Sequence, residues 1–146
     1  MKNILLKIEF YFLRFPLLPL LVVIIETLIK RTLWLWGRIR FGALIKNRGL
    51  GCVCHWGVDL KYPENIYLGQ RVVIGVRSSL GAHSPIYLGD HVHLSRDVHL
   101  ETAGLDYNRN LPPYPHISKS ITIEKGVWIG SRATVLGGVH ICLLYT

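Results

Sequence analysis

The sequence predicts an all-β chain wound as a parallel β-helix of triangular coils, preceded by a helical segment that is both apolar and basic. Three observations carry this. Between Leu68 and Ile141 an aliphatic residue returns every six positions, a period that neither an α-helix nor an ordinary strand produces. Small residues recur at two fixed offsets from those aliphatics. The cations are crowded before residue 49: residues 1–48 hold nine Lys or Arg against Glu9 and Glu26, whereas residues 49–146 hold eight against seven acids.

The six-residue period runs through Leu68, Ile74, Leu80 and Ile86, steps by two, and restarts at Leu88, Leu94 and Leu100. After an interruption it resumes at Ile123, Ile129, Val135 and Ile141. One residue after these aliphatics stand Gly69, Gly75, Gly81, Gly89, Ser95, Glu101, Glu124 and Gly130, with Leu136 the exception; four residues after them stand small or β-branched side chains such as Val72, Ser78, Val92, Val98 and Val127. Short strands joined by tight corners need one inward aliphatic per side, a corner residue that tolerates an unusual backbone angle, and a compact residue to fill the corner. Three such sides predict a coil of about eighteen residues, with successive coils stacked at strand spacing as parallel pairs.

The N-terminal segment reads differently. From Phe10 to Ile25 it is apolar apart from Arg14 and is interrupted by Pro16 and Pro19; its uncharged core, Phe15 to Ile25, is too short to span a bilayer, which takes roughly twenty residues. Leu28 to Lys46 mixes Leu33, Trp34, Leu35, Trp36, Ile39, Phe41 and Leu44 with Lys30, Arg31, Arg38, Arg40 and Lys46. Two readings stay open: an amphipathic contact with the inner face of a membrane, where rings and cations suit the headgroup region, or a helical cover packed on the first coil or on another subunit. The apolar neighbours of these charges argue against nucleic-acid binding. The proline breaks and the lack of a small-residue cleavage site argue against a secretory signal, so the expected location is cytoplasmic, peripheral to the membrane at most.

The expected division is therefore an N-terminal helical segment, residues 1–48, and a β-helix domain, residues 49–146. Gly49 to Tyr62 reads as the turn into the helix, and Pro63-Glu64-Asn65 as a corner. Residues 105–120, with Asp106, Asn108, Asn110, Pro112, Pro113 and Pro115, read as a loop extruded from the coil, where substrate groups are naturally carried. The closing string Cys142-Leu143-Leu144-Tyr145-Thr146 matches one reading frame of a common transposon-derived sequencing adapter, so native sequence is expected to end near Ile141 and the chain to be truncated there. The cysteines, Cys52, Cys54 and Cys142, have no metal-ligand spacing and read as free thiols in a reducing compartment.

The repeat, the stretch Val127-Trp128-Ile129-Gly130-Ser131-Arg132-Ala133 and the following Gly137-Gly138-Val139 resemble the left-handed parallel β-helix (hexapeptide-repeat) acyltransferases, nearest the sugar and exopolysaccharide O-acetyltransferases of the maltose, galactoside and colanic acid types. The resemblance covers roughly Gly57 to Ile141. It implies acetyl-CoA as donor, a hydroxyl of a sugar or polysaccharide precursor as acceptor, no metal, and a homotrimer with sites between subunits. It also implies cofactor contacts at Ser131, flanked by Trp128, Gly130 and Arg132, and close backbone approach at Gly137 and Gly138.

Acyl transfer from a thioester to a hydroxyl needs a base, for which histidine has a suitable pKa. In the resembling enzymes that base follows the break in the repeat in a Thr-x-x-His pattern. Here the run is Thr102-Ala103-Gly104-Leu105, with leucine in the histidine's place. Either the base has moved, with His116 at the far end of the loop as first candidate and Asp106 or Glu101 to orient it, or the protein is a catalytically silent scaffold or binding module. His83, His93 and His99 are further candidates for the base. A zinc site of the kind found in γ-class carbonic anhydrases is not expected, because no two histidines are five apart, and His93 and His99, six apart, fall on successive sides of the triangle. His91, His93 and His99 read as outward positions.

Overall fold

A computed structural model of the chain describes residues 16–107 and 112–143. The expectations for residues 10–15, for Asn108 and Asn110, and for residues 144–146 lie outside that range. By its internal contacts the chain divides into Met1–Leu35 and Trp36–Thr146.

One helix, α1 (Leu18–Leu44), bridges the division. Pro19 falls in its first turn, where a missing N–H leaves no bond unmade. In the second unit Gly37, Phe41 and Ile45, spaced by four, form one stripe, and the latter two belong to the core of the first coil. Gly37 is there because nothing larger fits: a Cβ would stand 2.8 Å from Trp56 Cβ. Arg40 locks the contact by donating to the Val58 carbonyl at 2.9 Å.

The rest of the second unit is a parallel β-helix of three interleaved sheets. The first coil holds β1 (Val53–Cys54), β2 (Asp59–Lys61) and β3 (Ile66–Leu68), and the second β4 (Val73–Ile74), β5 (Ser79–Gly81) and β6 (Ile86–Leu88). The third holds β7 (His93–Leu94), β8 (His99–Glu101), an inserted hairpin of β9 (Ala103–Leu105) and β10 (His116–Ser118), and then β11 (Ile121–Ile123). The fourth holds β12 (Trp128–Ile129), β13 (Thr134–Leu136) and β14 (His140–Ile141). Each wall is a four-stranded sheet: β1-β4-β7-β12, β2-β5-β8-β13 and β3-β6-β11-β14. The segment Gly49 to Tyr62, expected as a turn into the helix, is in fact most of its first coil.

The aliphatic positions predicted to face inward do so. Leu68, Ile74, Leu80, Ile86, Leu88, Leu94, Leu100, Ile123, Ile129 and Val135 are buried, and Ile141 packs against them in part. The coil length differs from the eighteen expected. Ile66 pairs with Ile86, Val53 with Val73 and Leu80 with Leu100, each partner twenty positions on. The extra two residues lie in the third wall, where each strand turns both ends inward: Ile66 and Leu68, Ile86 and Leu88, Ile121 and Ile123 are all buried. The apparent restart of the period is thus one wall with two inward residues. Only the last coil keeps the shorter length, with Ile123 paired to Ile141 eighteen positions on.

Corner chemistry also departs from expectation. The left-handed backbone angles fall three residues after the aliphatics, at Arg71, Arg77, His91, Asp97 and Arg132, and not on the glycines one residue after them. Gly75 shows what those glycines do: a Cβ there would stand 2.5 Å from the Ser95 carbonyl carbon of the next coil. Absence of a side chain, rather than freedom of φ, lets the coils approach. The compact corner positions Val72, Ser78, Val92, Val98 and Val127 are buried as read, and the Ser78 hydroxyl is satisfied by the Ser95 carbonyl at 3.0 Å and the Val98 N–H at 3.3 Å.

Candidate active site at the break in the coil

The repeat breaks between the second and third walls of the third coil. There the corner that in the coil below is closed by Ala82 to Pro85 is replaced by the hairpin β9–β10, an antiparallel pair with Leu105 opposite His116, Gly104 opposite Ile117 and Ala103 opposite Ser118. The Asp106 N–H donates to the Pro115 carbonyl at 2.9 Å and the Lys119 N–H to the Thr102 carbonyl at 3.1 Å. Antiparallel pairs alternate between bonded and non-bonded, so Leu105 and His116 form a non-bonded pair, whose Cα atoms approach to about 4.5 Å and whose side chains share one face. His116 therefore stands beside the position the Thr-x-x-His pattern assigns to its base.

Alternation along the strands puts Ala103, Leu105, His116 and Ser118 on that face. Ser118 identifies what the face looks onto. Its Oγ shares a hydrogen bond of 2.6 Å with Ser84 Oγ and lies 3.3 Å from His83 Nδ1. Beneath them Thr102 is buried, its Oγ1 donating to the Gly81 carbonyl at 2.8 Å and accepting from the Ser84 N–H at 3.0 Å. Tyr62 meets the His83 ring edge-on at 5.4 Å. The result is a polar corner in which His83 meets a hydrogen-bonded serine pair, with His116 two residues before Ser118 on the same strand. Such a face can accept a proton from a hydroxyl and hold the ring that bears it.

The predicted residues divide into two groups. Glu101 ends β8 at the root of the hairpin, where its Oε1 accepts from the Ala103 N–H at 3.2 Å and its carboxylate fills the space left by Gly81. Asp106 is tied by its backbone to Pro115, next to His116. Gly137 packs under the same root: a Cβ there would stand 2.5 Å from the Thr102 oxygen. Gly138 turns the neighbouring corner with φ +92 and donates to the Ser120 carbonyl at 2.9 Å. Packing and turning thus account for both glycines.

The second group lies elsewhere. Trp128 stands on β12, and Gly130, Ser131 and Arg132 at the corner between the first and second walls of the last coil, separated from the hairpin root by the length of β13. Trp128 is largely exposed and donates from Nε1 to Ser95 Oγ at 2.7 Å. Gly130 and Ser131 are exposed, and a Cβ on Gly130 would meet nothing. Arg132 stands near Asp97, whose carboxyl is held below the usual carboxylate range chiefly by its two bonds from the Arg77 guanidinium at 2.7 and 2.8 Å.

His91, His93 and His99 are outward and exposed, as read. Among the described residues no three His, Cys, Asp or Glu side chains are grouped to hold a metal ion. The three cysteines are free thiols, and burial pushes the Cys54 thiol up to about 12, against a smaller lowering by Arg40. A shallow groove of about 470 Å³ on the third wall, lined by Tyr67, Tyr87, Thr122 and Glu124 among others, contains none of the predicted residues. Sequence reasoning missed the Ser84–Ser118 pair. Its only trace was Ser84 at a compact corner position and Ser118 at the edge of the excursion.

No protein-family profile and no curated protein matches this chain. Among solved structures it is similar to AntD, an N-acyltransferase from Bacillus cereus, in a crystal structure in complex with dTDP-4-amino-4,6-dideoxyglucose and coenzyme A. The match has 15% sequence identity and a TM-score of 0.42, and spans 66% of each chain.

Proposed function

We propose that this chain is an acyltransferase that moves an acetyl group from acetyl-CoA to a hydroxyl of a sugar or polysaccharide precursor, with His116 as the base. The observation that carries the proposal is the hairpin register, which sets His116 opposite Leu105 on the face that also bears Ser118 and looks onto His83 and Ser84. The imidazole takes the proton of the acceptor hydroxyl as its oxygen attacks the thioester carbon. The tetrahedral intermediate then expels the CoA thiolate, which recovers the proton from the imidazolium. Glu101 and Asp106, at the root and arm of the same hairpin, are the carboxylates proposed to orient the base and hold its positive charge.

Ser131, Trp128, Gly130 and Arg132, one strand along the last coil from the hairpin root, are proposed to hold the acetyl-CoA arm. The homotrimer that the resemblance implies has its sites between subunits, with one copy's Trp128 to Arg132 facing another copy's hairpin. Gly137 and Gly138 are proposed to let the pantetheine arm approach the backbone closely.

The test is the purified full chain with acetyl-CoA and a panel of sugars and nucleotide-sugars, read by thiol release and by the mass of the product. His116→Ala is expected to lower turnover by about a hundredfold to ten-thousandfold. Equal turnover in the variant would remove His116 as base. A second reading, a catalytically silent binding module, is favoured by Leu105 at the usual base position, and no thioester consumption by either the wild type or the variant with any acceptor in the panel would support it.

A further inference from the structure

An exposed apolar surface lies on α1 itself. Leu20, Leu21, Val22, Val23, Ile24 and Ile25 are all exposed, Leu20 by 58% and Val23 by 60%, and Leu28 and Ile29 follow them. Six consecutive helical residues sweep about one and two thirds turns, so the exposed apolar surface has no polar side. A protein neighbour covers one face of a helix and leaves the other to water. A fluid apolar solvent covers every face at once.

Length and charge specify the solvent further. From Leu18 to Ile29 is roughly 18 Å at 1.5 Å per residue, about half of the ~30 Å hydrocarbon thickness of a bilayer. No helix among the described residues is long and apolar enough to cross a membrane. The charged side chain inside the run, Glu26, is paired with Lys30 at 2.8 Å. Lys30, Arg31, Trp34, Trp36 and Arg38 come next, all exposed. Indole rings and cations are the side chains that lodge among headgroups, the cations against acidic phosphates.

We infer that the Leu18–Ile29 part of α1 enters one leaflet of a lipid bilayer without crossing it, and that Lys30 and Arg31, with Trp34, dock among anionic headgroups. This stands apart from the acyl-transfer proposal and needs no catalytic residue. Its consequence for function is that the acceptor would be met at a membrane surface, where lipid-linked saccharides are carried.

The experiment floats the full chain on phosphatidylcholine vesicles with and without phosphatidylglycerol. The chain is expected to float with both, more tightly with phosphatidylglycerol, and to stay bound to phosphatidylcholine when salt is raised. Ile24→Asp should lower partition about a hundredfold, the factor for a carboxylate set deep in an apolar segment. Arg31→Glu should remove about fivefold or more of the phosphatidylglycerol preference while leaving the neutral-vesicle binding intact. Circular dichroism of both variants checks that the β-helix persists. Wild-type chain left unbound would overturn the inference, as would an unchanged float of Ile24→Asp. So would an Ile24→Asp effect confined to sedimentation mass, which would assign the helix to contact with a second copy.

Discussion

Replacing Gly75 by alanine tests the close stacking of coils more sharply than any core truncation. The new Cβ would stand 2.5 Å from the Ser95 carbonyl carbon and 2.6 Å from its oxygen. Ordinary contact begins near 3.4 Å, so the second and third coils must separate locally by roughly 0.8 Å, an overpacking of a kind that costs about 1–3 kcal/mol. The same movement pulls on two ladder bonds, Val73 N–H to the Val92 carbonyl at 2.9 Å and Gly75 N–H to the Leu94 carbonyl at 2.9 Å. Their weakening adds about 1 kcal/mol or more, for a total near 2–4 kcal/mol. Gly130 is the control: it occupies the same place in the repeat, but a Cβ there meets nothing within 4 Å. Gly130→Ala is expected to be neutral or to stabilise by about 0.4–1 kcal/mol through the unfolded chain. Urea denaturation followed by circular dichroism reads both. Equal midpoints for the two variants would refute the assignment of corner glycines to coil approach.

Thr102→Val removes the buried hydroxyl that receives the Ser84 N–H, and should cost about 1–3 kcal/mol, with faster hydrogen exchange at Ser84; unchanged exchange would contradict the arrangement. At pH 8, iodoacetamide should modify exposed Cys142 while sparing Cys54, whose thiol is pushed up to about 12 by burial. Peptide mass spectrometry that finds equal labelling would refute the burial of Cys54. Asp97, its pKa lowered chiefly by hydrogen bonds from Arg77, contributes stability at neutral pH that is lost as pH falls through its depressed folded value, below about 4. Asp97→Asn should therefore flatten the acid side of the stability profile, by a small amount because the Arg77 side of the pair is exposed, and an unaltered acid side would rule out a role for this pair.

The core of this fold was legible because each coil must bury an aliphatic on every wall, and burial leaves a period in the chain. The number of residues per coil was less legible. Ile86 and Leu88, two apart, look like a shift of phase until the register with Ile66 and Leu68 shows both facing inward on a longer wall. Corner glycines were recognisable as a pattern but not as to cause, since a Cβ clash with a neighbouring coil and a left-handed φ leave the same residue in the sequence. An excursion could be placed because the period stopped at Leu100, though as a loop over 105–120 and not as the hairpin that begins at Ala103, and His116 could be singled out as a residue able to fold back over Leu105. The Ser84–Ser118–His83 contacts join residues 34 and 35 positions apart, and nothing in the local pattern marks serines that meet only after folding. In α1 the apolar and basic composition was plain. The exposure of every residue from Leu20 to Ile25 could be read only from the structure.

The hairpin register on which the proposed chemistry depends can be measured with one covalent probe. Leu105 and His116 are directly opposite in a non-bonded antiparallel pair, where Cα atoms approach to about 4.5 Å, within the range a disulfide bridges. In a background with Cys142→Ser, the double substitution Leu105→Cys and His116→Cys should close a disulfide under mild oxidation, lowering the mass by two hydrogens and linking the peptides that flank the excursion. Thiols at those two positions that stay reduced while the protein keeps its β-helix dichroism would show that His116 does not stand beside Leu105.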